Sequence, residues 1–403
     1  MSSENTVPAT DVRPYPFERY SVTEIPPVYA ELRKQCPVAE LSLPSGDRGW
    51  IITPYEDVKR VLADLAFSRA ATAVPDAPRL TETPPASGGL FTMDPPEHTR
   101  LRRLVAREFT NRRVEALRPR IQEIADRLLD EMAAGPRPVD LVQALALPLP
   151  IIVICELLGV PYEDREKFRD WSSAMVSLTL HTPEVVEHKK QELAFYFAEL
   201  VERKRAEPGD DLFSALVTAH DDDGKLDLLE LIIMGITIIV AGTETTTSTI
   251  GTGTLALLRH PEIVTRLRDD PSKIDAVVEE ILRTCPIGDG GPQRVTLEDV
   301  EVAGVAIPKN SLVMAAIPAA NHDPFRFADP DRFDIDRGGN PHLAFGHGIH
   351  HCLGASLARA ELQITISSLF RRFPDLRAAV PVESLQLTSG MIVHSLRELP
   401  VTW

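Results

Sequence analysis

Apolar and polar positions alternate in two rhythms along the chain. Val38–Leu43 and Trp50–Thr53 alternate with a period of two around Ser45-Gly46-Asp47-Arg48-Gly49, which predicts a β-hairpin. Tyr55–Ala63 carries a helical period. Residues 69–93 are rich in Pro, Ala, Ser, Thr and Gly and predict no element; a long irregular loop inside a compact domain is often functional. Asp94-Pro95-Pro96-Glu97 reads as a helix start, with a cap, prolines in the first turn and then an acid. Helical patterns dominate from there to about residue 285, broken near Gly135, Pro148, Gly159-Val160-Pro161, Pro183 and Pro208-Gly209. Residues 286–340 change to short strands and turns, such as Val300–Val305 and Leu312–Ile317. A last helix is predicted from about Cys352 to Phe373, and short strands after Pro374. Residues 1–14 carry no period and predict a mobile lead-in. There is no internal repeat and no linker. The expectation is one domain over 1–403, mainly α (94–285 and 352–373) with smaller β-rich parts at 38–53, 286–340 and 374–403.

One segment stands apart. Residues 227–260 begin apolar all round, through Leu231–Val240, which predicts a buried helix. Ile and Val favour a strand, but about 34 residues without a turn signal, from Asp227 to His260-Pro261, favour a helix. Its second half is poor helix material, with five threonines between 243 and 249. Together they disfavour helix by roughly 1–3 kcal/mol against alanine. Threonines that bond back to carbonyls at i−4 are one account of them. Glu244 follows a 13-residue uncharged stretch, where a buried acid needs a partner or a proton-handling task.

Composition narrows the classes. The 403 residues carry 43 basic and 59 acidic side chains, a formal charge of −16, which argues against nucleic acid and anionic membranes as partners. Apolar residues at 43% and charged ones at 25% are ordinary globular values. The 34 prolines are scattered, marking segment ends in a loop-rich fold. Cys36, Cys155, Cys285 and Cys352 form no CxxC pair and read as reduced thiols, hence a cytoplasmic protein. Residues 1–27 are polar and proline-rich, so no signal peptide is expected. Leu231–Thr243 is too short for a membrane anchor, because a span needs about 20 residues.

The most informative stretch is Phe345-Gly346-His347-Gly348-Ile349-His350-His351-Cys352-Leu353-Gly354-Ala355. Two glycines two apart permit a tight turn. The chain then feeds Cys352 to a helix start, whose positive field is expected to lower the thiol pKa. Three readings compete. Cys352 is a buried structural cysteine, part of a zinc site with His347, His350 and His351, or the axial thiolate of a haem. Adjacency of His351 and Cys352 argues against one tetrahedral zinc site. Spacing alone leaves the structural reading ahead.

The order Phe345-Gly346-x-Gly348-x-His350-x-Cys352-x-Gly354 resembles the haem-binding signature of the cytochromes P450, with six positions matched within ten residues. Ala241-Gly242-x-Glu244-Thr245 is similar to the family's oxygen-binding segment, Glu280-x-x-Arg283 to its Glu-x-x-Arg pair, and Asp329-Pro330-Asp331-Arg332-Phe333 to the segment that completes that charge cluster. The sequence looks closest to soluble actinobacterial tailoring enzymes of polyketide and macrolide pathways.

The resemblance implies a P450 fold with haem b between the long central helix and the Cys-loop helix. Cys352 would be the iron ligand, with Phe345, Gly346, Gly348 and Gly354 shaping the loop. His98, Arg102, Arg294 and His350 would hold the haem propionates. Thr245 and Glu244 would relay protons to dioxygen, and Ala241 and Gly242, being small, would leave it room. Glu280, Arg283 and Arg332 would form a structural ion network. Leu90, Phe91, Met175, Leu178, Ile238, Ala241, Ile287, Gly290, Met391 and Ile392 would line the substrate pocket, with Gly288–Gly291 widening it. The implied activity is oxidation, by hydroxylation or epoxidation, of a lipophilic small molecule such as a polyketide or macrolide by a monomeric enzyme. Oxidative coupling, rearrangement and non-catalytic ligand binding stay open. The chain has no flavin or iron–sulfur segment, so electrons are expected from a separate ferredoxin or flavodoxin. Residues 98–120 carry eight arginines, from Arg100 to Arg120, against Glu108 and Glu115, and are the expected docking stretch.

Overall fold

The computed structural model describes residues 12–19, 21–82, 88–221 and 225–403. Its helical part comprises α1 (Val28–Gln35), α2 (Tyr55–Ala63), α3 (Glu97–Ala106), α4 (Asn111–Ala134), α5 (Pro148–Leu158), α6 (Arg165–Met175), α7 (Pro183–Ala206), α8 (Leu212–Asp221), α9 (Leu228–Leu258), α10 (Pro261–Asp269), α11 (Ile274–Thr284), α12 (Ile317–Asn321) and α13 (Ala355–Arg372). The main sheet has the order β1 (Arg13–Pro14), β2 (Val38–Ser42), β3 (Arg48–Ile52), β9 (Leu312–Ala315), β6 (Gln293–Thr296), β4 (Phe67–Ser68). The expected hairpin is β2–β3, with Val38 opposite Ile52 and Ser42 opposite Arg48. Short strands β10 (Arg377–Ala378), β11 (Pro400–Thr402) and β5 (Val139–Asp140) make a second sheet. β7 (Val300–Val302) and β8 (Val305–Ile307) form a hairpin whose two turn residues, Ala303 and Gly304, both have positive φ, as such a tight turn requires.

The expectation for the N-terminus needs correction. Arg13 and Pro14 are not a loose lead-in but pair in parallel with Leu41 and Ser42. Tyr15, Phe17 and Tyr29 then pack edge-to-face and are buried. Three aromatic anchors tie down a segment whose sequence shows no period. Residues 1–11 and 83–87 of the expected lead-in and loop lie outside the described residues.

Helix α9 runs through the middle of the molecule. A capping box opens it: the Glu230 amide donates to Asp227 Oδ1 at 2.7 Å, and the Asp227 amide donates to Glu230 Oε2 at 3.0 Å. By length and apolar content alone α9 could cross a membrane. Here its second half is instead buried without a break from Thr246 to Leu255. Three hydroxyls bond back one turn, Thr245 to the Ala241 carbonyl at 2.7 Å, Thr249 to Thr245 at 2.9 Å and Thr252 to Ser248 at 2.8 Å. Gly242 departs from expectation. A side chain there would meet Ile154 Cδ1 at 2.9 Å, so its smallness serves the close packing of α9 on α5.

A buried ion network ties α11 to the chain that leads into the Cys352 loop. Glu280 and Arg283 are both fully buried and joined by two hydrogen bonds, 2.9 and 2.7 Å. Arg283 also donates to the carbonyls of Asn321, Pro330 and Arg332 at 2.9, 2.6 and 3.0 Å. Burial raises the Glu280 carboxyl, but the Arg283 bonds and charge, with Arg337 behind them, hold it below its ordinary value. The expected third side chain is not Arg332, which is exposed and offers only its carbonyl. Arg337 takes that place, with Nε 3.2 Å from Glu280 Oε1. The sequence window ended at Phe333, four residues too soon. Replacing Arg337 by Ala is expected to lower the melting temperature by several degrees, because it leaves a buried carboxylate under-compensated. Arg332→Ala is expected to change it little. The reverse order in thermal melts would restore Arg332.

Candidate functional site

The Cys352 loop is a closed turn. The Cys352 amide donates to the Phe345 carbonyl at 2.8 Å, the Gly346 amide to Leu343 at 2.8 Å and the His351 amide to Gly348 at 3.0 Å. Gly346 and Gly348 take φ of +72° and +73°, which side-chained residues resist. At Gly348 a Cβ would stand 2.8 Å from Ala63 Cα, so the loop rests directly on the end of α2. The Phe345 ring lies 4.5 Å beneath the Arg359 guanidinium. Glu279 on α11 grips Arg359 at 2.6 and 2.9 Å and His342 at 3.1 Å. Burial alone would raise the Glu279 carboxyl, but these bonds hold it down at about 2. The loop is thus fixed from both ends by α11.

Cys352 itself precedes α13, whose first residue is Ala355 and whose N-cap is Gly354. Its side chain is accessible, yet the surrounding protein withdraws it from bulk water. Burial therefore raises the thiol pKa, outweighing the Gly354 amide and the Arg102 and Arg359 charges. This corrects the expectation of a thiol lowered by the helix field. Gly354, at φ −84° and with open space where a Cβ would stand, is not held by backbone strain.

Beside the loop lies a cluster of cationic and imidazole side chains. The His98 and His350 rings are 4.3 Å apart. Arg102 donates to the His351 carbonyl at 2.6 Å. Arg294 is 1% exposed and donates to the Leu62 carbonyl at 3.0 Å. Arg69 joins them, donating to the carbonyls of Phe91 at 2.6 Å and Gln293 at 2.7 Å. Burial, with Arg69 adding to it, pushes Arg294 down to about 9, while burial pushes Arg69 down to about 10 despite Asp94. His350 falls to about 3 by burial and by its charged neighbours. Among the described residues, both His98 ring nitrogens and His350 Nε2 are buried without a partner. Three arginines and three buried imidazole nitrogens unpartnered among the described residues, with Asp94 as the carboxylate that faces them, call for an anion. A dicarboxylate such as haem, with an accessible soft sulfur beside it, suits this donor set.

Arg69 was missed in the sequence because nothing around Phe67-Ser68-Arg69 is periodic. Its signal is tertiary. Asp94, expected as a helix cap, instead takes the Arg69 amide at 3.0 Å and the Ser68 hydroxyl at 2.5 Å. Helix α3 starts only at Glu97, without a side-chain cap and with both prolines ahead of it.

Thr245 and Glu244 sit on α9, but on diverging faces, since neighbours on a helix point about 100° apart. Thr245 gives its hydrogen to Ala241. Glu244 is 7% exposed, and among the described residues its carboxyl accepts no hydrogen bond. Burial raises it to about 7, and Arg169 on α6, an exposed residue, pulls the other way.

Of the expected pocket residues, several are brought together. The Gly390 carbonyl accepts the amides of Leu178, Thr179 and Leu180 at 2.8, 2.9 and 3.1 Å. Ile392 donates to Val176 at 2.8 Å, and Ser177 bridges to Met391. His394 donates to Ile287 at 2.8 Å. Leu90 is buried in one apolar cluster with Ile238, and Met175 packs against it. Ala241 lies on the same helix, one turn before Thr245. Phe91 and Ile392 are 52% and 45% exposed. Gly290 does not open a cavity as expected. A Cβ there would meet the Tyr15 hydroxyl at 2.7 Å, and at Gly291 the Ala315 carbonyl at 1.8 Å, so these glycines permit close backbone contact.

The arginine stretch is less basic than its sequence. Arg100 pairs with Glu230, Arg113 with Glu108, Arg118 with Glu115, and Arg120 with Glu123 and Glu156. Arg103, Arg107 and Arg112 are exposed and carry no partner among the described residues.

The family profile described as Cytochrome P450 matches residues 29–377. Nocardicin C N-oxygenase of Nocardia uniformis subsp. tsuyamanensis is 48% identical over 98% of this chain and 99% of its own. Mycinamicin IV hydroxylase/epoxidase of Micromonospora griseorubida is 44% identical over 98% of this chain and 100% of its own. Among solved structures, SgvP, involved in the tailoring of griseoviridin, superposes with a TM-score of 0.94 at 47% identity, over 97% of this chain and 100% of its own. A MycG variant bound to mycinamicin IV gives 0.88 at 44%, over 98% and 100%.

Glu244 generates a prediction. A carboxyl at 4.5 when unfolded and about 7 when folded costs the fold nothing below pH 4.5. The cost grows through the window and reaches about 3 kcal/mol above pH 8. Glu244→Gln is therefore expected to raise the melting temperature at pH 8 and to lose that gain toward pH 5. A gain independent of pH in the same melts would refute the buried acid.

Proposed function

This chain belongs to the cytochrome P450 family, and from that membership we propose that it hydroxylates or epoxidises a lipophilic secondary metabolite of the macrolide or polyketide kind. It is a monooxygenase, and its cofactor is haem b. The observation that carries the reading is the closed Cys352 loop with its accessible thiol beside the His98, Arg102, Arg294 and His350 cluster. Cys352 would ligate the iron, and the cluster, with Arg69, would take the two propionates. Bound there, haem supplies the chemistry that activates dioxygen and inserts one of its atoms into the substrate.

The protein's share is proton handling and exclusion of water. Thr245 has committed its hydrogen to Ala241, which leaves its oxygen as an acceptor for an incoming proton donor. Glu244, whose carboxyl burial raises to about 7 while the Arg169 charge pulls it down, can take up a proton and pass it inward through water. The mycinamicin relative supports carbon oxidation as the reaction. The nocardicin relative favours a second reading, oxygen transfer to a substrate nitrogen. A screen for low-to-high spin shifts over macrolides, polyketides and amine-bearing metabolites separates the two. With a substrate so found, Thr245→Ala is expected to keep haem and substrate binding while most consumed reductant appears as hydrogen peroxide. Product formed per reductant at the wild-type ratio would remove Thr245 from the relay.

Electrons reach the site from a separate acidic ferredoxin or flavodoxin. Arg103, Arg107 and Arg112 are the exposed arginines of the docking stretch that pair with no carboxylate among the described residues. Next to Arg112, Asn111 lies 2.8 Å from the Ser356 hydroxyl, four residues past Cys352. This supports docking on the thiolate side. A cytoplasmic setting suits the four unpaired thiols. Converting the three arginines to Gln is expected to slow ferredoxin reduction severalfold at low salt and to flatten its salt dependence. Stopped-flow rates that keep the wild-type salt dependence would move the docking surface elsewhere.

A further inference from the structure

Asp289 is only 4% exposed, although it stands between glycines in a segment with no other charge. Its surroundings come from four separate stretches of chain. Arg19 Nη2, from the N-terminal segment, donates to Asp289 Oδ1 at 3.0 Å, with the arginine 13% exposed. The Tyr29 hydroxyl donates to the Asp289 carbonyl. On the other side, His394 Nδ1 stands 3.6 Å from the same Oδ1. The His394 amide donates to Ile287 at 2.8 Å, and its carbonyl accepts the Ser248 hydroxyl at 2.6 Å. Ser248 is on α9, three residues beyond Thr245. The Asp289 carboxylate thus ties residues 287–291 to the N-terminal segment through Arg19 and lies against His394, whose backbone joins Ile287 of the same loop and Ser248 of the central helix.

This linkage differs from ordinary core packing. Among the described residues, Arg19 Nε and His394 Nδ1 are buried without hydrogen-bond partners. An apolar cluster of the same shape would hold these segments at least as well, because buried ion pairs recover little of their desolvation cost. What an ion pair adds over greasy contacts is direction: it fixes where its carriers stand. Here Arg19 is carried by the N-terminal segment and Asp289 by loop 287–291, and His394 of loop 390–394 stands 3.6 Å from the same carboxylate oxygen. Ile287 lies two residues before Asp289, and Met391 and Ile392 lie three and two residues before His394.

We propose that Asp289 is a positioning residue that sets the separation of loops 287–291 and 390–394, and through it the width of ligand the substrate side accepts. The proposal rests on the reading of Ile287 and Met391-Ile392 as pocket walls. Arg19 anchors Asp289 from outside. The N-terminal segment thereby acts on specificity without touching the ligand.

The test uses the haem-bound enzyme titrated with imidazole and with econazole, each followed by the absorbance shift of nitrogen ligation to iron. Imidazole is small enough to bypass the walls, whereas econazole must fit between them. Asp289→Asn is expected to leave imidazole affinity within about twofold and to weaken econazole about tenfold, with the thiolate-type spectrum of the CO complex retained. A purely structural role would move both azoles together or neither, and either result overturns the proposal. Should Asp289→Asn fail to take up haem, Arg19→Met gives the same comparison, and wild-type affinities for both azoles in it are equally fatal. Ile392→Trp separates the two readings. If it too leaves econazole affinity unchanged, the pocket walls lie elsewhere and the pocket reading fails. If it weakens econazole while Asp289→Asn and Arg19→Met do not, the positioning role alone fails.

Discussion

The Glu280–Arg283 pair is the constraint from which the rest of the haem side is built. Both side chains have no exposure, so neither can lose its partner without stranding a charge in the interior. Two hydrogen bonds join them, and their remaining valences go outward to the chain. Arg283 collects the carbonyls of Asn321, Pro330 and Arg332. Glu280 collects the Asp334 amide at 2.8 Å, Arg337 and Asn340. A stretch with no regular structure between 322 and 343 is therefore wound around one ion pair. That stretch delivers Leu343, whose amide bonds Asn321 Oδ1 at 2.7 Å, and two residues later Phe345. The adjacent Glu279 reaches past it to Arg359 and His342. Consecutive residues on one helix thus hold the segment before the Cys352 loop and the helix after it.

The second constraint is electrical. Arg69, Arg102 and Arg294 are permanent cations in a recess where burial weakens even guanidinium basicity. Asp94 offsets one of them, and the two propionates of haem would offset the other two. On that count the site reaches neutrality only when the cofactor is in place. His98 and His350, with three buried ring nitrogens unpartnered among the described residues, would then add hydrogen-bond donors rather than further charge. Binding haem and folding the surrounding segments are consequently linked: β4, β6, α3 and the Cys352 loop each contribute a cation or imidazole, directly or from the adjoining residue.

Legibility in the sequence followed the range of the interactions. The hairpin at 38–52, helix Tyr55–Ala63, the long helix after Asp227 and the Gly-rich loop around Cys352 depend on local periodicity, caps or φ preferences, and they were readable. Glu280-x-x-Arg283 was readable because both partners lie within one helical turn. Arg337 and Arg69 were not, since their roles come from carbonyls and charges remote in sequence. Asp94 misled for the same reason. Its residue type fits a cap, but tertiary bonds to Ser68 and Arg69 claimed the carboxylate. Gly242 and Gly290 misled in a related way. A missing side chain reads as space, whereas Ile154 and Tyr15 had already filled it.

The same contrast explains why the chemistry is plainer than the substrate. The expected iron ligand and proton relay lie in motifs whose spacing is set by one turn or one helix, whereas the cationic cluster beside them draws on β4, β6, α3 and the Cys352 loop. The expected substrate side draws on residues 88–91, 175–180, 287–291 and 390–394, which meet only after folding. No single one of these has a pattern that a ligand would impose. Their relative placement is set by contacts that carry no motif, such as the Gly390 carbonyl under three successive amides and Asp289 between Arg19 and His394. The cost of moving a wall is a few hydrogen bonds far from the iron. The cost of moving Cys352 would be the whole network that begins at Glu280.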